Sequence, residues 1–130
     1  MLMDIALVPL NIETALAACR GDPDLARALV EQYRASLPEE RTALARAVAA
    51  APPDWADVGR RAHRLQSGGA YLGIERVAAA AGALETGVLA GAAPDELTAA
   101  GRALDRAIDE FLADPEAEWA GRPRGGAGGC

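Results

Sequence analysis

DWADVGRRAHRLQSGGAYLGIERVAAAAGALETGVLAG, residues 54–91, contains two runs of apolar residues at helical spacing, separated by a single glycine. In the first run, Trp55, Val58, Ala62, Leu65, Gly69 and Leu72 recur every three or four positions and therefore share one helix face. Gly73 interrupts the pattern. Ile74, Val77, Ala81, Leu84 and Val88 then repeat it at nearly strict three-four spacing. Asp54 supplies an N-cap for the first helix, and Gly91-Ala92-Ala93-Pro94 reads as the loop that ends the second.

The same reading extends in both directions. Residues 1–10 form a lead-in ending at Pro9-Leu10. Asn11 caps a short helix from Ile12 to about Arg20, stopped by Gly21, and Asp22-Pro23 restarts the chain with a capping acid and a first-turn proline. Leu25, Leu29, Tyr33, Leu37, Leu44 and Val48 form the next apolar stripe, which Pro38 is expected to kink or split, and the run ends near Ala50. Downstream, Asp95 is expected to cap a last helix that turns Leu97, Leu104, Ile108 and Phe111 inward, and Asp114-Pro115 ends it. Residues 114–130 read as a flexible Gly-rich tail. The predicted fold is all-α: an antiparallel up-down four-helix bundle over residues 11–113, with a short extra N-terminal helix.

Composition agrees. Of 130 residues 51% are hydrophobic, with alanine dominant and aromatics at only 4%, which favours helices over strands. Thirteen basic residues, all Arg, against nineteen acidic ones give a net charge of −6, the wrong balance for a protein that neutralises nucleic-acid phosphates. Cys19 and Cys130 form no spaced pair, and no histidine stands beside them at metal-ligand spacing, so neither a zinc site nor a disulfide framework is indicated. Cys19 reads as a small buried residue. The N-terminus lacks the basic region of a signal peptide, and no apolar run reaches membrane-spanning length. The expected setting is the reducing cytoplasm. Glu39, Glu40, Asp109 and Glu110 read as solvated helix faces.

His63 is the single histidine, so any histidine-dependent chemistry must use it. At 100° per residue it lies about 130° from the core stripe of its helix and faces solvent. An exposed histidine on a helix often has no function, and its small neighbours follow in part from the alanine bias. Glycine is a different matter: Gly59, Gly68 and Gly69 each cost about 1 kcal/mol relative to Ala in a helix. A helix that keeps a low shelf around one imidazole is open to close approach by a large partner.

Ala62-His63-Arg64-Leu65-Gln66-Ser67-Gly68-Gly69-Ala70-Tyr71-Leu72-Gly73, followed by Glu75-Arg76-Val77 and Ala83-Leu84-Glu85, resembles the histidine phosphotransfer (HPt) domain of bacterial phosphorelays. That family's pattern is Ala-His-x-Leu-Lys-Gly, a small-residue stretch, Leu-Gly, then an apolar helix ending in Leu-Glu. Gly21-Asp22-Pro23-Asp24-Leu25 and Tyr33 match the opening helices, so the resemblance covers about residues 11 to 113. Two positions depart: the usual Lys is Gln66 and the usual Gly is Ser67. Gln66 can donate a hydrogen bond to a phosphoryl oxygen but brings no charge.

The resemblance implies a phosphoryl carrier rather than an enzyme. His63 would accept the group from a receiver-domain aspartate and pass it to another receiver. Gln66, with Arg60, would orient the transferred group, while Gly59, Arg64, Ser67, Gly68, Gly69, Ala70 and Tyr71 would form the docking surface. The chain itself would hold no cofactor and no metal, Mg²⁺ residing on the partner receiver domain, and would act as a monomer without nucleic acid or membrane. The alternative is a helical module that binds and sequesters a response regulator without transfer, motivated by Gln66 in the place of Lys. A histidine kinase segment is disfavoured because no Gly-rich nucleotide signature is present. A start at Met1 favours a free-standing shuttle over a piece of a hybrid kinase.

Overall fold

The computed structural model describes residues 6–113 and Trp119. They form five helices, α1 (Ile12–Ala18), α2 (Pro23–Ala49), α3 (Trp55–Leu72), α4 (Glu75–Leu89) and α5 (Pro94–Ala113), and no strand among the described residues. Short connections make consecutive helices antiparallel. α2 to α5 each pack on their chain neighbours, α5 closes back on α2, and α1 packs on α2 and α3. The fully buried side chains include Val30, Leu37, Val58, Ile74, Val77, Leu104 and Ile108, drawn from all four long helices and the α3–α4 turn. No charged or polar residue is buried among the described residues.

The caps follow the sequence with one exception. Asn11 Oδ1 accepts from the backbone of Glu13 and Thr14 at 3.1 and 3.3 Å, Asp22 from Asp24 and Leu25, and Asp54 from Asp57. α5, however, begins at Pro94, and Asp95 is not its cap. Instead Glu96 reaches back to accept from the Ala93 N–H at 3.2 Å, the carboxylate half of a capping box ahead of a first-turn proline.

α2 departs from expectation twice. Pro38 neither splits it nor ends it. An interior proline costs about 3 kcal/mol, yet Leu37 and Leu44 on either side are buried, each stabilising by roughly 1.5–3 kcal/mol. Packing therefore outweighs the lost hydrogen bond. The inward face is also rotated. Ala26, Val30, Leu37, Leu44 and Ala47 are buried, whereas Leu25 and Val48 are exposed. A step of four residues overshoots a full turn by about 40°, so a run of such steps drifts off the core and alanines take the inward positions.

Both ends of the bundle reach past the boundaries expected from sequence. In the lead-in, Leu10 is buried, the Val8 N–H donates to Glu75, and Arg76 donates from its side chain to the Leu7 carbonyl and from its backbone to that of Val8. Residues 1–5 lie outside the described residues. Beyond Ala113, Trp119 belongs to the core, only 4% exposed and beneath the Arg27 guanidinium, which sits 4.7 Å from the ring centroid. The remainder of the tail expected over 114–130, residues 114–118 and 120–130, lies outside the described residues.

Side-chain ties run between helices on the outside. Glu40 receives Arg61, Asp109 receives Arg41, and Glu110 receives Arg76, so acids read as plain solvated faces are paired across helices, though still partly wet. Half-exposed pairs of this kind contribute at most about 1 kcal/mol each. Arg34 differs: largely buried, it donates to the Phe111 carbonyl at 2.6 Å and stacks on the Phe111 ring at 4.1 Å, anchoring the last turn of α5.

The α3–α4 turn is the most constrained point. Gly73 adopts φ +77, and Ile74 N–H donates to the Gly69 carbonyl at 2.8 Å in a left-handed helix cap. A Cβ at Gly73 would lie 2.5 Å from the Asn11 carbonyl oxygen and 2.8 Å from Thr14 Cβ. Gly91 shares the positive φ but has open space around it. Urea denaturation should therefore show Gly73→Ala losing about 3 kcal/mol or more, from strain plus collision, and Gly91→Ala losing only about 1–2 kcal/mol, from strain alone. Equal losses would mean that the approach of Asn11 is not a real constraint.

Candidate functional site

His63 projects from the middle of α3 with its side chain 60% exposed. Its Nδ1 lies 2.9 Å from Oε2 of Glu85 on α4, a carboxylate that is 22% exposed. The pairing follows from the hairpin. His63 and Glu85 are each eleven residues from Ile74 (74 − 63 = 85 − 74 = 11), so antiparallel helices bring them level. Gln66 and Gly82 are each eight residues from the same point, and a Cβ on Gly82 would meet Gln66 Cγ at 3.3 Å. Glu85 was legible in the sequence only as the end of a motif; counting outward from the turn identifies it as the partner of His63.

The residues singled out around His63 separate into two groups. Arg60, Arg64, Ser67, Ala70 and Tyr71 are exposed, and Gln66 is half-buried beside them. Arg60 donates to Asp57 at 3.2 Å, and Arg64 has no hydrogen bond or ion pair among the described residues. Asp57 is shared: Arg61, hydrogen-bonded at 2.9 Å, and secondarily Arg60 hold its carboxyl below the usual carboxylate range. Ser67 lies 3.5 Å from Gln66 Oε1, and the Tyr71 hydroxyl donates to the Ala18 carbonyl at 3.1 Å.

Gly68 and Gly69 serve packing, whereas Gly59 borders open surface. A Cβ on Gly68 would meet the Tyr33 ring at 3.1 Å. One on Gly69, which is buried, would meet the Tyr33 hydroxyl at 3.1 Å and Ala78 at 3.2 Å. Gly59 has Val88 at 3.3 Å. Gly68 and Gly69 let the Tyr33 ring lie across α3, where its hydroxyl donates to the Leu65 carbonyl at 2.7 Å. Tyr33 also meets Phe111 edge to face, centroids 6.3 Å apart. One phenol therefore links α2, α5 and the α3 turn that follows His63.

North of His63, toward the start of α3, an open depression of about 690 Å³ lies between α3 and the end of α4. Ala56, Gly59, Val88 and Leu89 line it, with Arg60, His63, Arg64 and Glu85 around them. Among the described residues no group of three or more His, Cys, Asp or Glu side chains is placed to hold a metal ion. No helix in that part of the chain is long and apolar enough to cross a membrane.

The bundle presents one imidazole from α3, backed by a carboxylate on α4. The Hpt domain matches residues 28–114, two thirds of the sequence, and the chain belongs to that family. Hpt domains are phosphocarriers of two-component signalling that interact with receiver domains. No curated protein matches the chain.

Burial, with the Glu40 charge adding to it, pushes the Tyr33 hydroxyl well above its ordinary value. Above about pH 10 an unfolded tyrosine ionises while the folded one keeps its proton. The unfolded chain then binds fewer protons, and stability falls as pH rises. Denaturation curves should show Tyr33→Phe about 1 kcal/mol less stable than wild type at pH 7, for the lost hydrogen bond. They should also show the variant losing less stability between pH 9 and 11. A parallel decline in both proteins would remove Tyr33 from this role.

Proposed function

We propose that the chain carries a phosphoryl group on His63, taking it from an aspartyl phosphate of one receiver domain and passing it to an aspartate of another. The observation that carries this reading is the engagement of His63 Nδ1 by Glu85 in an otherwise exposed ring. An ionised carboxylate can only accept, so Nδ1 carries the hydrogen and the lone pair sits on Nε2. Nε2 has no partner among the described residues. It forms the bond to phosphorus as the P–O bond to the aspartate breaks, and the leaving carboxylate takes the electron pair. The positive charge that develops on the imidazole is held by the Nδ1–H to Glu85 contact. Transfer onward reverses these bonds at a second aspartate.

Gln66, half-buried beside Gly82, and Arg60, which shares Asp57 with Arg61, orient the phosphoryl oxygens. Mg²⁺ belongs to the partner receiver in this scheme, and a monomer in the cytoplasm suffices for it. Incubation with a radiolabelled phospho-receiver tests the proposal. Wild type should acquire acid-labile, alkali-stable label, and His63→Gln none. Glu85→Ala should be labelled at a rate reduced about tenfold or more. Binding of the receiver by wild type with no label on any variant would instead leave a sequestering module.

A further inference from the structure

Resting on that reading, we infer that Asp57 is a positioning residue for it: its carboxylate holds the Arg60 guanidinium while His63 is bare and yields it once His63 carries a phosphoryl group. Arg60 stands three residues after Asp57 and three before His63, so on the surface of α3 it lies between them and can serve either. At rest it serves Asp57, with Arg60 Nη2 donating to Oδ1 at 3.2 Å. Its side chain is 63% exposed and borders the same depression as His63. The inner half of the network is held more firmly. Arg61 donates from Nε to Asp57 Oδ2 at 2.9 Å and from Nη1 to Glu40 of α2 at 3.2 Å, and these three side chains are only 24–26% exposed.

Asp57 is thus neutralised from two sides, and only the outer contact is dispensable. When Arg60 leaves, Arg61 still pairs the carboxylate, so no charge is stranded. An exposed pair such as Asp57–Arg60 is also weakly held. A phosphoryl group brings about −2 charge and three acceptor oxygens, against the single charge on Asp57 that Arg61 already answers. Glu85, bonded to Nδ1, adds a further negative charge to the imidazole and so raises the need for a cation beside the phosphoryl oxygens. Arg64 has no hydrogen bond or ion pair to exchange among the described residues, which leaves Arg60 as the side chain whose partner changes. The exchange moves hydrogen bonds alone; no bond to phosphorus is made or broken in it. Asp57 therefore competes with the phosphoryl group for Arg60, and Arg61 weakens that competition.

The test incubates the full chain with a radiolabelled phospho-receiver and measures, at equilibrium, the ratio of label on the chain to label on the receiver. Asp57→Asn should raise that ratio about threefold, because Arg60 is released in advance. Arg60→Gln should lower it about tenfold, and adding Asp57→Asn to Arg60→Gln should then change nothing. Arg61→Gln should lower the ratio, opposite in sign to Asp57→Asn, because Asp57 then depends on Arg60 alone. A merely structural salt bridge would shift both variants the same way. Helical circular dichroism checks that each variant is folded; should Arg61→Gln unfold, the Asp57–Arg60 cycle decides by itself. A ratio for Asp57→Asn at or below wild type, a gain that persists with Arg60→Gln, or a folded Arg61→Gln whose ratio does not fall overturns the exchange while transfer by wild type still stands. No label on wild type overturns both readings.

Discussion

At position 73 the chain turns from α3 into α4 with a left-handed backbone while the Asn11 carbonyl presses against the same atom, leaving no room for a side chain. That constraint sets the register of the hairpin, and the register sets the site. Shifting the turn by one residue would rotate α4 by about 100° relative to α3 and carry Glu85 away from His63. The lead-in reinforces the geometry. Glu75, first residue of α4, accepts from Val8 and from the Asn11 side chain, and the Asn11 backbone donates to the Gly73 carbonyl at 2.7 Å. A segment without regular structure thus holds the turn from outside.

The second organising contact is Tyr33. Its ring occupies the space that Gly68 and Gly69 leave, and its hydroxyl reaches the carbonyl of Leu65, two residues past His63. The helix stability that the two glycines forgo, about 1 kcal/mol each, is offset by a close crossing of α2 and α3. The turn that presents the imidazole is therefore backed by aromatic packing on one side and exposed on the other. The imidazole is thus open to solvent while the turn beneath it is closely packed.

The helices were legible because their caps and three-four stripes are local: Asn11, Asp22, Asp54 and Gly73 all stand where their chemistry predicts. The exposed direction of His63 followed from the same arithmetic. The middle of the α2 stripe, Leu29 to Leu44, packs inward as read, but its ends were misread because Ala26 and Ala47 take the inward positions there, and alanine is too common here to mark a face. Trp119 escaped because a single apolar residue among Gly, Arg and Pro has no periodicity to detect. Glycines beside the histidine were visible, but size alone does not say which neighbour uses the space; only the position of Tyr33 does. Glu85 required knowing that Gly73 closes a tight antiparallel hairpin, after which equal distances from Ile74 identify it.

The contacts that hold the molecule together span very different stretches of chain. His63 and Glu85 are 22 residues apart, whereas Arg34 and Phe111, which join α2 to α5, are 77 apart. Closing the longer loop costs roughly 1 kcal/mol more in chain entropy. The His63–Glu85 pair is therefore of low contact order, assembled within a single hairpin, and the seam between the first and last long helices is the entropically dearer junction. Local opening of the bundle is therefore expected first at that seam, which would leave the helix pair that bears the imidazole in place.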